Sequence, residues 1–175
     1  MNRAPGDHTQ LIAQGLRELV PRITENPVVV HEGLDKTERE EVQNKRLPIN
    51  FADLTFELPV YPDAIVYDSH CEILYLFEAV TSLGPFTNRR IATVLEALES
   101  GPSYSDGSEG QISFDVVFIT LFPDERRYRN FLMDLGDRSY VWLSDHRDEL
   151  RSHGKVRIQE MGTGEKLAFR YQVSL

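Results

Sequence analysis

An α/β fold with a mixed central β-sheet flanked by helices is the architecture this sequence predicts. Three observations carry that expectation. Element signals follow the order helix, strand, hairpin, helix, strand, helix, strand. The run Ile112 to Leu121 is almost continuously apolar, the pattern of a central strand covered on both faces. Segments on either side of that run repeat their apolar residues at helical rather than strand spacing.

Each element has its own signal. Asp7 to Val20 reads as a first helix, with Leu11, Ile12, Gly15, Leu16, Leu19 and Val20 at helical spacing, Asp7 as a possible cap and Pro21 as its end. Pro27 to Val30 is a short strand. Asp35 to Lys45 is charged and poor in apolar residues, an exposed turn of helix or a loop without assigned chemistry. Ala64 to Tyr67 and Glu72 to Val80 are strong strands. The turn-forming Asp68-Ser69-His70 joins them into an antiparallel hairpin. Thr87 or Asn88 caps a helix from Arg89 to Glu99 that buries Ile91, Val94, Leu95 and Leu98. Gly101 to Gly110 is a Ser- and Gly-rich loop. Pro123-Asp124-Glu125 opens a helix to about Leu135, with Tyr128, Phe131, Leu132 and Leu135 inward and Asp124 as N-cap. Tyr140 to Leu143 is a further strand. In the tail, Val156 to Ile158 and Leu167 to Val173 form a weak hairpin signal around Gly162-Thr163-Gly164.

Length and composition set limits. A chain of 175 residues, 41% hydrophobic and 27% charged, fits a single domain with its own core, residues 1–175, the central part at about 47–159. No apolar run approaches the roughly 20 residues that span a bilayer. The start, Met1 to Asp7, carries no apolar signal segment, so a cytoplasmic protein is expected. One cysteine, Cys71, excludes an intramolecular disulfide and a multi-cysteine zinc site. The net charge of −9 argues against a stand-alone high-affinity DNA binder. It is compatible with a DNA-cutting domain, which needs one basic face and carries metal-binding acids of its own.

The chemistry points to two of those acids. Glu78 lies inside Ile73 to Val80, which otherwise reads as a buried strand. An ionised carboxylate buried without a partner is costly, so it is paired, protonated or bound to a metal. Asp63 opens the preceding strand after Pro62. Neighbouring strands lie about 4.8 Å apart, so a hairpin brings the start of one strand beside the end of the next. Two such acids can share a divalent cation, with the carbonyl of Ala79 as a third oxygen; Mg²⁺ is held by one or two carboxylates plus water and substrate phosphate. Taken singly, Asp63 is also a common strand-entry residue, and Glu78 can be a buried ion pair with Arg89 or Arg90.

Pro62-Asp63, fourteen intervening residues, then Glu78-Ala79-Val80 resembles the nuclease signature PD-(D/E)XK. The longer strings Pro62 to Asp68 and Leu74 to Pro85 resemble, more specifically, the catalytic C-terminal domain of BsuBI/PstI-type restriction endonucleases. Phe118 to Asp124 and Tyr140 to Asp145 resemble later segments of the same domain, and the likeness runs from about Leu47 to Gln159. It implies a restriction-endonuclease-like core and Mg²⁺-dependent cleavage of double-stranded DNA leaving a 5′-phosphate, with Mn²⁺ as a substitute ion. A symmetric homodimer is the matching expectation, because a palindrome needs two active sites. The signature's lysine, two residues after the glutamate, is Val80 here. In the family a basic residue follows Gly-Pro at a helix start; the matching residue is Arg89, with Arg90 beside it. A cation there opposes the helix dipole, which suggests another use, such as stabilising transition-state charge. A guanidinium stays protonated and cannot serve as the base.

Other signals are weaker. Arg126, Arg127 and Arg129, and separately Arg147, Arg151, Lys155 and Arg157, are basic groups whose commoner meaning is a solvated face. The five histidines show no metal-ligand spacing. Trp142 alternates with Tyr140 as a core residue, and Glu18 is a further candidate acidic ligand whose default is a solvent-facing helix position. The functional expectation is therefore a metal-dependent DNA endonuclease with Asp63, Glu78 and Arg89 in the catalytic roles and Asp63, Glu78 and Ala79 on the metal. Target recognition would be absent, altered, or supplied by a partner or a second copy. The rival readings are a catalytically silent nuclease fold that binds DNA or protein, and a truncated remnant of a longer enzyme.

Overall fold

A computed structural model of the chain describes residues 7–33, 46–81, 84–102, 112–154, 160–161, 167 and 169–175. Helix α1 (Asp7–Glu18) is followed directly by a short α2 (Val20–Ile23) and then strand β1 (Pro27–Glu32). A hairpin of β2 (Leu47–Phe51) and β3 (Leu54–Leu58) precedes the main hairpin, β4 (Ala64–Asp68) and β5 (Ile73–Ala79). Helix α3 (Asn88–Glu99), strand β6 (Ser113–Phe122), the short α4 (Glu125–Asn130), β7 (Ser139–Leu143), β8 (His146–His153), β9 (Glu160–Met161) and β10 (Tyr171–Ser174) complete the order.

The sheet is mixed. Its order is β1-β4-β5-β6-β7-β8-β9, with β10 also paired to β6. The β5–β6 and β6–β7 pairs are parallel and the others antiparallel. Strands β4, β5 and β7 are buried along their whole length, as the apolar runs require.

Alternation along β5 splits the core in two. Leu74 and Leu76 join Ile65, Phe118, the β2–β3 hairpin and Ile91, Val94 and Leu98 of α3. Ile73, Tyr75, Phe77 and Ala79 face the other way, onto Leu11 and Ile12 of α1 and onto Trp142. Gly15 lets α1 sit close: a Cβ there would lie 2.7 Å from a methyl of Leu121. A third cluster, Val80 with Phe122, Tyr128, Leu135, Val141 and Leu143, closes the end of the sheet beside α4.

The expected mixed α/β sheet is present, and several details differ from expectation. Pro21 does not end helical structure; it occupies the first turn of α2, where its missing N–H costs nothing. The helix after Asp124 stops at Asn130, the chain turns over residues 131–134, and Leu132 is exposed rather than inward. In the tail, β9 pairs with β8 and β10 pairs with β6. Strands β2, β3 and β8 add to the expected elements. The predicted segments Asp35–Lys45 and Val156–Ile158, and most of Gly101–Gly110, lie outside the described residues.

Candidate active site

The β4–β5 hairpin places Asp63 and Glu78 at one end of the sheet. Asp63 precedes β4; its N–H donates to the carbonyl of Phe77 at 2.8 Å. Phe77 is also the ladder partner of Ala64, so the backbone of Asp63 is tied to the residue that faces the first position of β4. The Asp63 carboxylate then continues the ladder: Oδ2 accepts the N–H of Ala79 at 2.7 Å. Gly33 passes close behind, where a Cβ would fall 2.6 Å from the Asp63 carbonyl oxygen. Any side chain there must push Asp63 aside.

The second oxygen of Asp63 meets His8, in the first turn of α1, with Nε2 to Oδ1 at 3.1 Å. The other ring nitrogen of His8 lies 3.2 Å from the hydroxyl of Thr81. Asp63 is fully buried, while the His8 side chain is 28% exposed.

Glu78 alternates with Leu74 and Leu76 and so belongs to the side of the sheet that carries α3. Its carboxylate is gripped in parallel by Arg90: Oε1 to Nη1 and Oε2 to Nη2, both at 2.9 Å. Such a fork is the strongest common form of ion pair, and here one partner is buried at 3% exposure. The guanidinium also lies over the ring of Phe86, 5.4 Å from its centroid. Helix phase explains the choice of arginine. Thr87 caps α3 and accepts the N–H of Arg90 at 3.3 Å, which turns Arg90 toward the sheet and leaves Arg89 exposed. Gly136 braces the same helix start, its N–H donating to the Phe86 carbonyl at 2.7 Å. Thr120, directly across from Glu78 in the β5–β6 register, is buried and accepts the Phe86 N–H at 3.4 Å.

The other residues singled out in the sequence separate from this site or take structural parts. Val80, at the signature's lysine position, is wholly buried in the third cluster. Glu18 pairs with Arg17 and Arg147, at 3.0 and 3.3 Å; the Arg17 hydrogen bond is the largest cause holding its carboxyl below the usual range. Asp124 caps α4 as expected, accepting from the Arg127 N–H at 2.7 Å. Arg151 is held by Glu125 and Glu149, and Arg129 by Glu125, so these two cations of the basic groups are already neutralised. Lys155 and Arg157 lie outside the described residues. Trp142 is core, its indole N–H donating to the Arg147 carbonyl. Cys71 is exposed in the β4–β5 turn. His8 is a site residue that no sequence signal marks. It is far from Asp63 in the chain, and no spacing rule links them.

Two buried carboxylates and a backbone carbonyl are hard oxygen donors, the chemistry that suits Mg²⁺ or Mn²⁺. Each ionised carboxylate offers about four lone-pair positions, so one oxygen can accept a hydrogen bond and ligate an ion at once. Among the described residues no group of three or more His, Cys, Asp or Glu side chains forms a metal cage. A cation here would rest on two side chains with backbone and water oxygens, which is how magnesium is commonly held.

The mixed sheet with its helices is a restriction-endonuclease-like fold. The solved SdaI restriction endonuclease superposes with a TM-score of 0.60 at 22% identity, over 93% of this chain and 47% of that one. The chain belongs to the BsuBI/PstI restriction endonuclease domain family, which matches residues 1–154. It is 24% identical over 154 residues to the type II restriction enzyme BsuBI of Bacillus subtilis, a match covering 88% of this chain and 45% of the relative. The chain thus spans about half the length of the relatives it matches. No helix among the described residues is long and apolar enough to cross a membrane.

Proposed function

We propose that this chain is a metal-dependent endonuclease domain that hydrolyses DNA phosphodiesters. The observation that supports the reading is that two buried acids, Asp63 just before β4 and Glu78 in β5, lie toward the same end of the β4–β5 hairpin, in a chain of this restriction-endonuclease family. Asp63, Glu78 and the carbonyl of Ala79 would hold Mg²⁺, or Mn²⁺ in its place. When bound, such an ion supplies Lewis-acid polarisation of the phosphate and an acidified water.

The chain's own residues do the rest. Asp63 is pre-oriented by the Ala79 N–H and by His8, so no side-chain freedom is lost when its oxygens are used. Arg90 spends two of its five N–H donors on Glu78 and is 28% exposed, so other donors remain for a phosphate oxygen. In this reading Arg90 takes the cationic role expected of Arg89, and the exposed Arg89 would contact the DNA backbone further out. Neither arginine removes a proton from water. Double-stranded DNA is the substrate, and two copies acting together would cut both strands.

A second reading has an observation in its favour. The Glu78–Arg90 fork already neutralises the acid, and Val80 is sealed in the core, so a silent nuclease fold that only binds DNA or protein would look the same without metal. Incubating unmethylated supercoiled plasmid with the protein and Mg²⁺ or Mn²⁺ separates the two. The endonuclease reading expects nicked and linear products that vanish in Glu78→Ala. Equal nicking by both proteins would mean contamination, and none by either would favour the silent fold.

A further inference from the structure

We infer that His8 is a positioning residue for Asp63, a hydrogen-bonding bracket that aims the carboxylate at the ion; this rests on the metal reading above. A carboxylate only accepts hydrogen bonds, so the Nε2 of His8, 3.1 Å from Asp63 Oδ1, carries the proton. The opposite nitrogen, Nδ1, is 3.2 Å from the Thr81 hydroxyl, a group able to donate or accept. Thr81 stands two residues beyond Ala79, whose N–H holds the other Asp63 oxygen at 2.7 Å. The carboxylate is therefore fixed at both oxygens: one by the backbone of β5, the other by an imidazole anchored to the chain just past β5. Helix α1 delivers that imidazole because Leu11 and Ile12, one turn on, are buried against β5 and β6. Partners of this kind orient metal ligands, and their loss typically weakens metal affinity about 10- to 100-fold.

The side-chain geometry supplies a discriminating pair of variants. In His8→Gln the amide nitrogen reaches the place of Nε2 and still donates to Asp63. In His8→Asn the amide stops at the place of Nδ1, and Asp63 Oδ1 loses the hydrogen bond from His8. Mn²⁺ affinity of the full chain, read by electron paramagnetic resonance of free ion without DNA, should fall about 10- to 100-fold in His8→Asn and His8→Ala and recover in His8→Gln. Imidazole ¹⁵N shifts of the wild type without metal should show a protonated Nε2, a signature that mere helix packing does not require. Circular dichroism melting checks that each variant is folded. Should an unfolded variant spoil the series, Thr81→Val removes the far anchor and should weaken Mn²⁺ binding by itself. Wild-type affinity in folded His8→Ala and His8→Asn, with binding lost in Asp63→Ala, overturns the role of His8 and leaves the metal reading standing. Unchanged binding in Asp63→Ala as well overturns both.

Discussion

At the scale of single residues, the site is a question of how two buried negative charges are tolerated. Glu78 is compensated by the Arg90 fork, and Asp63 takes hydrogen bonds from the Ala79 N–H and from His8. Removing one partner of a buried pair is more damaging than removing both, because the survivor is left uncompensated in a poor dielectric. Arg90→Ala should therefore destabilise the metal-free protein by several kcal/mol, reduced by the partial exposure of the arginine. A bound divalent ion would take over part of the compensation, since a ligand that binds only the folded state raises its stability. Thermal melting should accordingly show a larger Mn²⁺-induced rise for Arg90→Ala than for wild type. Arg89→Ala should melt within about 0.5 kcal/mol of wild type, as exposed substitutions usually do. Equal losses in the two variants would contradict the assignment of Arg90 to Glu78.

At the scale of elements, a third buried acid shows what a purely structural carboxylate looks like in this fold. Asp68 ends β4 and accepts four backbone N–H groups: Glu25 and Asn26 before β1, and His70 and Cys71 in the β4–β5 turn, at 2.7 to 3.3 Å. Burial pushes its carboxyl up, but the four hydrogen bonds outweigh burial and hold it below the ordinary value. A depressed pKa contributes stability that is present above the unfolded value, about 3.9, and is lost as pH falls through the folded one. Asp68→Ala should thus cost about 2 kcal/mol or more in urea unfolding at pH 7, and the gap to wild type should narrow below about pH 4. A gap that does not change with pH would assign the loss to packing alone.

The same scale shows why parts of the fold are legible in the sequence and others are not. Strands β4 to β7 and helix α3 announce themselves because burial on one or both faces forces apolar periodicity. The β2–β3 hairpin has that signal too: Leu47, Ile49 and Phe51 and then Leu54, Phe56 and Leu58 are all buried at every second position. Its turn, Ala52-Asp53, hides it, since both residues have positive φ where Asn-Gly would be usual. Half of strand β8 is Arg, Asp or Glu and Leu150 is its one apolar residue, so its pairing with β7 leaves no trace in hydropathy. In the site, Asp63 and Glu78 are readable because an acid in an apolar strand is an anomaly. Choosing between Arg89 and Arg90 needs the helix phase set by Thr87, and His8 needs the packing of α1, neither of which is written locally.

For the molecule as a whole, charge bears on the proposed encounter with DNA. A net charge of −9 repels a DNA backbone, and in the proposed site two acids would lie near the phosphate to be cut. Binding should therefore depend on a divalent ion beyond its role in chemistry. Fluorescence anisotropy with a short duplex should give tighter binding in Ca²⁺ than in EDTA, with the difference lost in the Asp63→Ala, Glu78→Ala double variant. Affinity that ignores both the ion and the variant would mean that DNA, if bound, lies elsewhere on the surface.

The most direct measurement is calorimetric titration of Mn²⁺ into the wild type, Asp63→Ala, Glu78→Ala and the double variant. One ion shared by both acids predicts a single binding event that either substitution abolishes or weakens alike, with little further loss in the double variant. Two separate events, each lost to only one substitution, or binding that survives all three variants, would contradict a shared ion.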